Sequence, residues 1–238
     1  ALAFLVKFNH LLFTNQKSPV FIVLTEQIQI ISTHGSGRTF VVLYEHGCAY
    51  EQDAKLLAEK LAATAKVLVL ASPVVSALSW QTISRQLEQL IDAQKIRQAS
   101  YICFGDTGVL AQHLYLRTSK LVRSLLLIDA SSSPHPTRTE RFIDSLEAYF
   151  PLGLPLRSES KTFNARSHLQ RIRCPVLRVA TSKATFFLKD QSMADSIAMP
   201  TAWFCDIAEE YPQQDESTVL ALIAEQFQEI PAKCPQGS

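Results

Sequence analysis

Short apolar runs with no polar face alternate with amphipathic stretches along most of this chain. No other feature constrains the fold as much. The runs lie at 40–45, 66–71, 100–104, 122–128, 175–180 and 202–207. Strands buried on both faces of a parallel sheet have this pattern. Helical segments are expected at 54–65, 80–96, 109–116, 139–150, 165–172, 188–199 and 217–230. The stripe Ile83, Leu87, Leu90 and Ile91 repeats at helical spacing. Asp215 or Ser217 stands where it can cap the last helix. Strands alternating with helices imply right-handed βαβ units, and so a doubly wound, mostly parallel α/β sheet. Two earlier segments, 20–24 and 27–32, alternate more and lead into Gly35-Ser36-Gly37. They read as an antiparallel edge and bring the expected sheet to about eight strands.

The alternation is interrupted once. Between two strands, an insertion carries an amphipathic stripe (Phe142, Ile143, Leu146, Phe150) followed by Pro151, Gly153, Pro155 and Ser158. We expect 134–173 to form a short helical cap over the carboxyl edge of the sheet, with 17–133 and 174–238 as the core. His135, Phe142 and Leu146 are candidates to line a pocket beneath it. The stretch 1–16 is apolar (Leu2, Phe4, Leu5, Phe8, Leu11, Leu12, Phe13) and has no place in the strand–helix plan. It is expected to cover the domain's own surface or to dock on another chain, because such a patch left exposed is unusual.

Composition excludes several classes. The chain is 47% hydrophobic and 19% charged, which excludes a disordered polypeptide. The net charge is +1 and the basic residues are scattered along the sequence, which argues against a nucleic-acid partner. No apolar stretch reaches the about 18 residues a membrane span needs. Lys7 interrupts the apolar start and no small-residue cleavage pattern follows, so a signal peptide is not expected. The five cysteines are odd in number and contain no C-x-x-C pair. That pattern points to reduced thiols in a cytosol-like compartment, without a metal site. Seven glycines are well under half of the roughly 17 that average usage would give. Five of them, Gly35, Gly37, Gly47, Gly105 and Gly108, fall where strands and helices must turn.

The ordered motifs resemble the α/β-hydrolase fold. Gly35-Ser36-Gly37 and the strand ending in Glu45-His46-Gly47 are similar to that family's third strand and oxyanion loop, with Cys48 next. The strand 66–71 with Ser72-Pro73, the strand 122–128 with Asp129, and Cys174-Pro175 leading into 176–180 resemble its fourth, sixth and seventh strands. Cys103-Phe104-Gly105-Asp106-Thr107-Gly108 lies where the family carries its nucleophile elbow, a strained turn between strand and helix. The resemblance covers about 20–230.

The chemistry departs from that pattern. Counting without gaps puts Gly105, which has no side chain, at the nucleophile position. A shift of one residue puts Asp106 there, and the resemblance includes enzymes that use an aspartate nucleophile. After the seventh strand comes Thr181-Ser182-Lys183-Ala184-Thr185, with no carboxylate. Asp129 could supply the acid, or it could be a structural residue. The resemblance puts the general base just after the last strand, where Glu210 stands. All six histidines precede residue 169. A glutamate needs burial that raises its pKa by about two units or more to act as a base near neutrality. The resemblance therefore implies a protein of this fold that binds a small apolar ligand or a protein partner without catalysis. The alternative is a divergent hydrolase for a small ester or epoxide, with Asp106 attacking, Asp129 or Glu210 assisting and His46-Gly47 at the oxyanion. Neither reading calls for a cofactor.

Overall fold

A computed structural model describes residues 27–73, 80–132 and 165–229. Its strands are β1 (Gln29–His34), β2 (Thr39–Glu45), β3 (Lys66–Ser72), β4 (Ala99–Phe104), β5 (Val122–Ile128), β6 (Val176–Ala180) and β7 (Ala202–Asp206). Its α-helices are α1 (Glu51–Leu61), α2 (Trp80–Ala93), α3 (Thr107–Arg117), α4 (Phe186–Ala198), α5 (Ile207–Glu210) and α6 (Glu216–Glu229). Short 3-10 helices span Ser119–Leu121 and Ala165–Arg171.

The strands form one sheet in the order β1-β3-β2-β4-β5-β6-β7, parallel except for β1, which runs antiparallel to β3. Successive residues of each central strand feed opposite cores. Val41 and Leu43 pack with Ile83, Leu87 and Ile91 of α2 and Val109 and Leu110 of α3. Phe40, Val42 and Tyr44 pack with Leu57 and Leu61 of α1 and Val219, Leu220 and Phe227 of α6. Burial on both faces is why these strands read as unbroken apolar runs.

The expected strands reappear within a residue or two, and the edge strand is antiparallel as expected. The sheet has seven strands among the described residues. The eighth expected strand, 20–24, lies outside them, as do the 1–16 extension, His135, Phe142 and Leu146. The segment expected as a helix over 165–172 is a 3-10 helix. The turn expected after the last strand is the one-turn helix α5.

α2 stops at Ala93, three residues short of the expected end, because it closes without glycine. The Lys95 N–H donates to Asp92 O and the Ile96 N–H to Ile91 O, with Lys95 at φ +54. This is a Schellman closure with a lysine in the left-handed position that glycine usually takes. Ile96 is 7% exposed and packs in the same core as Ile91.

The sheet's switch point lies at the carboxyl ends of β2 and β4, since β2 has β3 on one side and β4 on the other. Ligands of open α/β sheets bind at such a point. The loops after β2, β4, β5 and β6 all open onto that edge.

Candidate functional site

The turn after β4 is made at Gly105, whose φ is +57. A side chain there would sit in the left-handed region that L-residues rarely adopt. A Cβ built on Gly105 would meet the Tyr50 ring, with Cε2 at 3.5 Å. Asp106 is already helical, at φ −66 and ψ −18, and is half-buried as the residue before α3. Gly108 lets α3 close against the end of β5, where a Cβ would come within 2.5 Å of Ala130 Cβ. Thr107 ties the turn to the neighbouring strand by donating its hydroxyl to Leu43 O at 3.0 Å.

The loop after β2 is bound to itself. The His46 N–H donates to Ser72 O at 2.9 Å, and the Cys48 N–H to Glu45 O at 3.1 Å. The Gly47 N–H donates to the Glu51 carboxylate at 3.3 Å. Stabilising an oxyanion requires N–H groups aimed at the reacting atom. The amides of His46, Gly47 and Cys48 are directed instead at Ser72, Glu51 and Glu45. The His46 side chain is exposed. Burial pushes the half-buried Cys48 thiol up, away from the reactive thiolate form.

Tyr50 closes the space above the Gly105 turn. Its ring lies 5.9 Å from that of Phe104, and its hydroxyl is close enough to Asp129 to feel that carboxylate's charge. Burial, and then the Asp129 charge, push the Tyr50 phenol up, so it is a donor and not a base at neutral pH. Lys183 Nζ stands 5.6 Å from the centre of the Tyr50 ring, pairs with Asp53 and donates to Ala49 O at 3.3 Å.

Asp129 follows β5 at φ +49 and is 2% exposed. It accepts from the Thr181 N–H at 2.8 Å and from the Thr181 hydroxyl at 2.5 Å. Burial raises its pKa, while the Thr181 hydrogen bonds oppose that rise. Asp129 thus joins the loops after β5 and β6. Tyr50, Thr181 and Lys183 were not expected as site residues. No motif marks them, and their partners are far away in sequence.

Glu210 is the last residue of α5 and is exposed, so it lacks the burial that a glutamate base would need. Its carboxylate engages Cys205. Burial first, then the Glu210 charge and hydrogen bond, push that thiol up to about 12. Asp206 accepts from the Ala208 N–H at 3.1 Å and from Lys189 at 2.7 Å. His113 packs on the opposite side of α3, where its Nδ1 lies 2.6 Å from Ser84 Oγ. Among the described residues, no group of three His, Cys, Asp or Glu side chains could hold a metal ion. No described helix is long and apolar enough to cross a membrane.

No protein-family profile and no curated protein matches the sequence. Solved structures do. An α/β hydrolase from Sphaerobacter thermophilus is 14% identical with a TM-score of 0.61, covering 84% of this chain and 96% of its own. A thermophilic esterase from Thermogutta terrifontis is 13% identical at TM-score 0.60, covering 84% and 93%. The enol-lactonase from Burkholderia xenovorans is 12% identical at TM-score 0.60, covering 84% and 96%. At these identities the likeness speaks to architecture alone. It agrees with the strand order, the antiparallel edge strand and the left-handed turn after β4: the chain has the α/β-hydrolase fold.

Proposed function

We propose that this protein is a non-catalytic member of its fold, one that binds a small apolar ligand or a protein partner at the carboxyl edge of the sheet. The observation that carries this reading is at Gly105. The turn residue has no side chain, and the Tyr50 ring lies against the position a side chain would take. On this reading the insertion 134–173, with His135, Phe142 and Leu146 as its candidate ligand contacts, would belong to that binding edge, and the 1–16 extension would cover the domain or dock on a partner. A reducing, cytosol-like compartment fits Cys48, Cys103, Cys174 and Cys205, none of which forms a disulfide.

The second reading is a divergent hydrolase acting on a small ester or epoxide. It is favoured by the solved structures of similar fold, which include an esterase and an enol-lactonase. The Asp106 carboxylate would open an epoxide at carbon, breaking its C–O bond to give a hydroxyalkyl ester that water cleaves to a diol. On an ester it would attack the carbonyl and expel the protonated alcohol, leaving a mixed anhydride that water cleaves. Asp129 or Glu210 would assist. Incubation with short-chain p-nitrophenyl esters and a terminal epoxide separates the two readings. The binding reading expects release no faster than without protein, together with a rise in melting temperature for some apolar compound. Turnover that disappears in Asp106→Asn overturns it.

A further inference from the structure

The opposite edge of the sheet carries a second candidate site. In a parallel sheet every strand starts at the same edge, so residues scattered in sequence gather there. Those leading into strands are basic: Arg38 before β2, Lys66 opening β3, Arg97 before β4, Lys120 and Arg123 around the start of β5, and Arg173 before β6.

Within this edge lies a cavity of about 180 Å³ whose lining includes Arg38, Thr39, Gln98, Ser100 and Arg123. No carboxylate lines it. The Arg123 guanidinium and the Gln98 amide have no partner among the described residues. Ser100 is 8% exposed and sits beside a register shift between Ala99 and Ser100, an irregularity that re-aims side chains in a strand. The Ser124 hydroxyl lies 2.8 Å from the Ser100 hydroxyl. These two buried serines are in register on neighbouring strands, and Ser100 lines the cavity. Gly37 also lines the space, and a Cβ on it would meet only Thr64 O at 3.9 Å.

We propose that this cavity binds the phosphate group of a small soluble ligand. The guanidinium of Arg123 supplies a planar fork matched to a phosphate oxygen pair. Arg38 supplies a second positive charge, and Ser100, Thr39 and Gln98 supply neutral hydrogen-bonding groups around it. The cavity holds a phosphate with a small attached group. This site is independent of the reading given for the carboxyl edge.

Isothermal titration of the whole chain with inorganic phosphate, pyrophosphate and glycerol 3-phosphate tests it, at an ionic strength held constant with sodium chloride. The expected result is saturable binding of at least one probe. In Arg123→Gln that binding weakens by about tenfold or more, the size expected for loss of a charge-assisted hydrogen bond. Ser100→Ala serves as a second variant should Arg123→Gln fail to fold, and it weakens the same binding by a smaller factor. No binding by any probe, or equal binding by the variants, overturns the proposal. Binding only to vesicles containing phosphatidic acid, with none to the free phosphates, also overturns it, because it would make the basic edge a lipid surface.

Discussion

At the carboxyl edge the Tyr50 ring lies against the Gly105 turn beside Asp129, and Asp129 holds both the N–H and the hydroxyl of Thr181. A buried carboxylate is tolerable only when its oxygens are satisfied. Thr181→Val removes one donor while leaving the carboxylate in place. It is expected to cost about 1–3 kcal/mol of stability, read by urea denaturation. Unchanged stability would mean that Asp129 does not depend on that hydroxyl. Gly105 and Asp129 were legible in the sequence because a residue count from neighbouring strands locates them. Tyr50, Thr181 and Lys183 were not, because a side chain that meets a partner distant in sequence leaves no local pattern. The exposure of Glu210 was equally hidden, since it depends on where α5 ends.

At the scale of elements, helix ends are where sequence cues and structure part. The stripe in α2 was plain, but its end was not, because a glycine-poor chain closes the helix with Lys95 at φ +54. A left-handed lysine carries a steric cost that glycine avoids. Lys95→Gly should therefore stabilise the protein by about 1 kcal/mol in thermal or urea unfolding. A loss of stability would contradict the assignment of Lys95 as the closing residue. The last helix shows the reverse case. Its expected cap is present, with Asp215 accepting from the Thr218 N–H at 3.0 Å. The Ser217 and Thr218 hydrogen bonds hold the Asp215 carboxyl down to about 2, from an ordinary 3.8. A carboxyl whose pKa falls on folding contributes stability above its unfolded pKa and loses it as pH falls. Melting curves of wild type and Asp215→Ala should differ above about pH 4 and converge as pH approaches about 2. A difference that persists unchanged to pH 2 would show that the cap does not depend on the charge.

Across the whole molecule, burial on both faces made the central strands legible, and their parallel direction followed from the alternation with helices. What that same burial concealed is the ion pair inside it. Arg178 stands in an otherwise apolar strand, fully buried, with Nη1 3.4 Å from the Asp195 carboxylate of α4 and 2.9 Å from Ala130 O. Burial pulls its guanidinium down to about 10, with Asp195 opposing, so it stays charged at neutral pH. Asp195 also accepts from Ser132 at 3.1 Å, so the pair anchors α4 to the loop after β5. Asp195→Ala would strand the arginine charge and is expected to cost about 3–5 kcal/mol in urea denaturation. A cost within experimental error would mean that the pair does not hold α4 in place. The seven-stranded frame thus presents an edge whose turn residue, Gly105, has no side chain and the Tyr50 ring beside it, the basis of the proposed non-catalytic reading. The most direct test of that claim does not depend on turnover. A protein that attacks through Asp106 but lacks an efficient base would accumulate its covalent ester. Incubation with a terminal epoxide, acid quenching and intact-mass measurement reads that species. The account predicts a single mass equal to that of the untreated chain. An added mass equal to the epoxide, located at Asp106 by peptide mapping and absent in Asp106→Asn, would contradict it.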